Sequence, residues 1–178
     1  AKRKVEEYGL ENINFIEMDL LELKSLNKRF DLIECSGVLH HMNDPTKGLS
    51  TLYDVLEPKG FLKLGLYSTY ARKEILKARD LIKEKNINPD LDGIRSFRNE
   101  VLNGEIKQLN KITNWSDFYS TSMCRDLCFH SHENCYSLIE IKNMLKVSNL
   151  EFLGFTLSKV IQDKYQIDNK DINSLKDL

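Results

Sequence analysis

Apolar and polar positions divide the chain into short elements. Ala1 to Tyr8 reads as a helix already under way, because no Ser, Thr, Asp or Asn stands before it as a cap. Gly9 follows where a helix-ending glycine belongs. Asn12 to Met18 (NINFIEM) alternates with a period of two and predicts a strand ending at Asp19. Phe30 to Cys35 (FDLIEC) predicts a second strand, entered through the polar turn Asn27-Lys28-Arg29. Asp44-Pro45 supplies a cap and a proline for a first helical position, and Leu49, Leu52, Tyr53 and Leu56 then recur at helical spacing. Pro58-Lys59-Gly60 predicts a break, with Phe61 to Tyr67 (FLKLGLY) as a third strand. Helix, strand, strand, helix, strand in this order predicts an open, parallel α/β sheet.

The pattern then changes to helical spacing. Ala71, Ile75, Ala78 and Ile82 form one stripe and Ile94, Phe97 and Val101 another, separated by Asn86-Ile87-Asn88-Pro89. Residues 113–136 show no clear period and are rich in aromatic, Cys and His residues. Ser137 and Glu140 have the spacing of a capping box for a helix carrying Leu138, Ile141 and Leu145. Leu150 to Leu157 (LEFLGFTL) predicts a fourth strand. Residues 70–136 are thus expected to be an α-helical insertion on the sheet, a lid. The uncapped start, and Asp171-Ile172-Asn173 opening what looks like another helix, predict a piece of a longer protein cut inside elements at both ends.

Composition narrows the class. The 178 residues carry 26 Lys and Arg against 27 Asp and Glu, a net charge of -1 that argues against a protein built to grip nucleic acid or an anionic membrane. Hydrophobic residues make up 41% and charged residues 30%, the balance of a globular domain, and no apolar run is long enough to span a bilayer. The four cysteines are too sparse for a disulfide scaffold, so free thiols in the cytoplasm are the expectation.

Candidate chemistry falls at two strand ends, where open parallel sheets bind ligands. Asp19 could accept a hydrogen bond from an exocyclic amine while Leu20 packs on a flat purine; equally, Asp19 could cap a short helix beginning at Leu20. The second cluster is Cys35-Ser36-Gly37-Val38-Leu39-His40-His41, in which Gly37 permits close backbone approach and one histidine could be a general base. Adjacent histidines on extended backbone cannot both face one site. Cys124, Cys128, His130, His132 and Cys135 crowd five potential ligands into twelve residues, too tight for two facing zinc knuckles, so no metal is expected. A metal- or redox-responsive patch is the competing reading of that stretch. No dinucleotide fingerprint, Walker loop, zincin motif or nucleophile elbow is present.

Three stretches in order, AKRKVEEYGLENINFIEMDLLEL, FDLIECSGVLHHMNDP and LYDVLEPKGFLKLGLYS, resemble the middle of a class I S-adenosylmethionine-dependent methyltransferase. FYSTSMCRDLCFHSHENCYSLIEIKNML and LEFLGF are similar to the C-terminal half of a methyltransferase group often fused to tetratricopeptide repeats. The resemblance implies a partial Rossmann-like sheet: residues 1–69 as strands 3, 4 and 5 of a 3-2-1-4-5-7-6 order, 70–136 as the insertion, and 137–178 as a helix and strand 6. It implies S-adenosyl-L-methionine as methyl donor, with Asp19 and Leu20 at the adenine and Cys35, Ser36 and Gly37 at the methionine part. Val38 to His41 would line the active-site wall, with His40 or His41 removing the acceptor's proton. Arg125, Asp126, His130 and Glu133 would lie on the substrate side or brace the lid, and Asn134 replaces a histidine usual in that group. The fold does not choose the acceptor; the near-neutral charge points to a small molecule or protein. The family's glycine-rich loop and ribose-binding acid are not among these residues, so negligible cofactor affinity is expected of this chain alone. The alternative is a non-catalytic interaction module derived from the same fold.

Overall fold

The computed structural model describes residues 2–130 and 133–169. Helix α1 (Lys2–Glu7) closes as its glycine predicts. Gly9 takes φ +61°, its N–H donates to the Glu6 carbonyl, and the Leu10 N–H donates to Val5 at 3.0 Å. Strands β1 (Phe30–Ser36) and β2 (Leu56–Gly65) pair in parallel, in step from Leu32 opposite Phe61 to Ser36 opposite Gly65. Helix α2 (Pro45–Asp54) connects them, and the Asp44 carboxylate accepts from the Lys47 N–H at 2.9 Å. Leu49 and Leu52 are buried on α2, whereas Tyr53 is exposed.

Strand β2 starts five residues earlier than the Pro-Lys-Gly break predicts. The ladder loses register between Phe30 and Leu32, and Lys59 adopts φ +70°. That irregularity accommodates Pro58, which has no N–H to give to a ladder. Leu56, expected on the helix, therefore opens the strand.

Residues 12–18 and 150–157 form no strand. Their alternation is real, but a strand needs a neighbour for its N–H and C=O groups, and neither segment has one among the described residues. Ile13, Phe15 and Ile16 are left exposed, as are Leu32 and Phe61 on the pair itself, at 67% and 59%.

Apolar side chains gather in two places. One cluster, under α2 and α6 (Leu138–Val147), holds Cys35, Leu39, Leu49, Leu52, Met144 and Leu145. The predicted capping box is formed: the Glu140 N–H donates to Ser137 Oγ, and the Ser137 N–H donates to Glu140 Oε2 at 2.7 Å. The other cluster joins α3 (Lys73–Glu84), α4 (Leu91–Leu102), α5 (Thr121–Cys128) and the 3-10 segment Lys107–Asn114. Ile75, Ala78 and Ile82 of the first predicted stripe and Ile94, Phe97 and Val101 of the second lie in it, with Trp115 packed alongside; Ala71 precedes the helix and is exposed. Between the clusters, β3 (Tyr67–Ser68) pairs in parallel with β4 (Cys135–Tyr136). Helix α7 (Lys159–Asn169) follows. His132 and Asp171-Ile172-Asn173 lie outside the described residues.

Candidate functional site

The C-terminal end of β1 sets up the site. Ser36 faces Gly65 across the ladder, and a Cβ on Gly65 would stand 2.8 Å from Ser36 Oγ, so a bare backbone is required there. Gly37 at φ +76° then turns the chain off the sheet, with open space where a side chain would stand. The 3-10 turn Leu39–His41 follows, with Leu39 in the apolar cluster and His40 1% exposed.

The two histidines separate here. The ring of His40 stacks on Tyr67 at 4.0 Å, and neither of its nitrogens meets a hydrogen-bond partner among the described residues. Burial holds its pKa below the ordinary imidazole value, helped by the neighbouring His41; Glu133 and the Gly65 carbonyl oppose this, though that carbonyl makes no well-formed hydrogen bond to the ring. His41 is half-buried, and its ring stacks on His130 at 4.2 Å.

His41 and His130 line a cleft of about 330 Å3. Tyr67 and Arg72 contribute from the β3 side, α5 supplies Met123, Asp126 and Leu127, and Asp117 and Glu133 complete the lining. Glu133, whose side chain is 1% exposed, accepts from Arg72 Nε at 3.1 Å and Nη2 at 2.5 Å and from Arg79 Nη2 at 3.0 Å. Arg79 also donates to the Leu127 carbonyl, and the Arg72 guanidinium lies 3.8 Å from the Tyr67 ring centre. This Arg–Glu–Arg group ties the segment after α5 to α3 through charge-assisted, paired bonds. Asn134 adds a second tie, its N–H donating to the His40 carbonyl at 2.7 Å and its Nδ2 to the Met42 carbonyl at 3.0 Å.

Of the residues expected on the substrate side, Asp126, His130 and Glu133 therefore share one cleft with His41. Arg125 is exposed and does not line it. His40 does not line it either; it stands behind His41 and Tyr67. The cofactor candidates lie elsewhere. The Asp19 carboxylate accepts from the Leu21 N–H at 2.8 Å and caps the 3-10 segment Leu20–Leu26, the plainer of its two sequence readings. Leu20 packs against the apolar cluster that contains Cys35, which is 5% exposed with a thiol pKa raised by burial. Neither the cleft nor a larger apolar groove beside Tyr70, Leu138 and Phe155 is lined by Asp19, Leu20 or residues 35–37.

Tyr67, Arg72 and Asp117 were not identifiable from the sequence as parts of this cleft. They reach it from segments 26 to 76 residues away from His41 in the chain, and no local motif marks them. Among the described residues no group of three His, Cys, Asp or Glu side chains is disposed to hold a metal ion. Cys124 and Cys128 lie one turn apart on α5, both buried and free. Their side chains are hydrogen-bonded, which lowers the pKa of Cys124 and, with burial, pushes that of Cys128 far up. No helix among the described residues is long and apolar enough to cross a membrane.

One comparison with known proteins spans most of the chain and another its first third. An uncharacterized protein of Synechococcus sp. is 28% identical to the chain, in an alignment covering 94% of the chain and 41% of that relative. The chain thus spans well under half of that curated relative's length. Residues 1–60, from α1 into β2, match a family described as a methyltransferase domain, which supports a methyltransferase reading of the chain.

Proposed function

We propose that the chain is part of an S-adenosylmethionine-dependent methyltransferase, with residues 70–136 forming a lid over the acceptor side. The observation that carries this reading is the pairing of the methyltransferase-domain match over residues 1–60 with the turn Leu39–His41, which leads off β1 into a polar cleft. The residues after β1 and at the cap of the Leu20–Leu26 segment suit the donor. Gly37 leaves its backbone open to close approach, and Asp19 keeps an exposed carboxylate beside Leu20. When bound, the donor supplies an activated methyl group on a sulfonium; Asp19 and Leu20 would hold its adenine end, and the backbone at Ser36 and Gly37 its amino-acid end. His41, at the cleft wall, would take the acceptor's proton at an imidazole nitrogen. His40, buried behind it, would position that ring. Asp126, His130 and Glu133 belong to the acceptor side, where holding the two reactants together does most of the catalytic work.

The test is calorimetry and turnover on the intact protein. Asp19→Ser retains a capping hydroxyl and removes the carboxylate, and should weaken S-adenosylmethionine binding about tenfold, the worth of one charged hydrogen bond. His41→Ala should leave that binding unchanged and reduce turnover by roughly a hundredfold or more. The isolated 178-residue chain, which lacks a glycine-rich loop, should bind far more weakly than the intact protein. No S-adenosylmethionine binding by the intact protein would overturn the reading in favour of a non-catalytic module.

A further inference from the structure

The charges around the cleft identify a class of acceptor. Its volume, about 330 Å3, suits a small molecule or a single side chain rather than a folded surface. Around the buried Glu133 the positive charge is already committed: Arg72 and Arg79 both bind it, and Arg72 also covers the Tyr67 ring. Toward solvent the lining turns negative. Asp117 and Asp126 have no Lys or Arg partner among the described residues, and the hydrogen bond Asp117 accepts comes from the neutral Ser116 hydroxyl at 3.3 Å. Met123, on the same helix as Asp126, adds an exposed apolar surface. A negative, partly apolar mouth backed by imidazoles is complementary to an ammonium on an alkyl stem.

We propose that this cleft binds the cationic head of an alkyl amine, which is the methyl acceptor; the acceptor role rests on the methyltransferase reading, whereas the binding does not. Asp126 and Asp117 attract the ammonium, and Met123 takes the stem. An ammonium has no lone pair to offer, so one N–H bond must break before it can react. The electron pair stays on the acceptor nitrogen, and the proton passes to an imidazole nitrogen of His41 or His130; that pair would then form the bond to the methyl carbon as the donor's sulfur–methyl bond breaks, its electrons returning to sulfur in a neutral thioether leaving group. An anionic acceptor would meet the two carboxylates first, with Arg72 held back on Glu133.

The experiment follows the imidazole NMR signals of His41 and His130 in the 178-residue chain during titration with cadaverine, a five-carbon diamine, and with glutarate, a dianion of the same length. Saturable shifts with cadaverine, weakened at least fivefold by Asp126→Asn or by Asp117→Asn, support the proposal. Asp92→Asn, an exposed position of α4 outside the cleft, should change nothing. Equal or tighter binding of glutarate, or no response to cadaverine, overturns it; two carboxylate variants guard against one that fails to fold. Cadaverine binding by an intact protein that transfers no methyl group would leave the site standing and sink the enzyme. Methyl transfer to a hydroxyl or carboxyl compound without cadaverine binding would do the reverse.

Discussion

His40 is a buried imidazole whose ring nitrogens find no partner among the described residues, and that makes it a source of acid sensitivity. Unfolding returns it to water and to an ordinary pKa near 6.5, so below that pH the unfolded chain binds more protons than the folded one. The contribution is fully present above 6.5 and is lost as pH falls through the lowered folded value. His41, Glu133 and Arg72 are the charged or titratable neighbours that tune it. The thermal midpoint should drop between pH 7.5 and 5.5, and His40→Phe, which keeps a ring against Tyr67, should flatten the drop; parallel slopes would show another group responsible. Glu133 makes the complementary case. Glu133→Gln leaves two half-buried guanidiniums facing a neutral amide and should cost up to about 3 kcal/mol in urea unfolding. Arg72→Met keeps the Glu133–Arg79 pair and should cost less.

At the scale of elements, legibility followed locality. Caps and stripes involve residues three or four apart, so the Asp44 cap, the Ser137–Glu140 box and the buried faces of α3 and α4 could be read directly. Strands depend on partners that a period of two cannot supply, and residues 12–18 and 150–157 show it. Helix α5 went unread because Cys, Thr and Ser are poor helix formers and Ser120 makes no side-chain capping bond. In the site, the histidine pair and the Asp126–Glu133 stretch were legible as candidates. That His41 lines the cleft while His40 is buried was not, since it depends on how the turn Leu39–His41 meets Tyr67. Gly48 fixes that turn against α2: a Cβ there would come 2.6 Å from Met42 Sδ and 2.8 Å from Leu39 Cδ2. Gly48→Ala should therefore lower stability by about 1 kcal/mol, overpacking outweighing the gain in helix propensity. It should also perturb the His41 resonances, which a change in helix propensity alone would not.

At the scale of the whole molecule, apolar surface is spread unevenly. Leu32 and Phe61 are exposed on the β1–β2 pair and Phe15 and Ile16 on the segment before Asp19, while Phe97, Phe118, Ile94 and Ile112 are fully enclosed by the helical cluster. The 178-residue chain should bind a hydrophobic dye and grow in light scattering with concentration. Leu32→Lys combined with Phe61→Lys should reduce both without lowering the helical circular dichroism signal.

Trp115 is the one tryptophan of the sequence, and it packs on the helical cluster rather than on the sheet. The protein thus carries an optical label on one of its two cores. Indole emission will track the disassembly of α3, α4 and α5 alone, and the strand pair will be silent in that channel. If the halves come apart at different denaturant concentrations, emission and far-ultraviolet ellipticity will yield different midpoints, and no engineered probe is needed to see it.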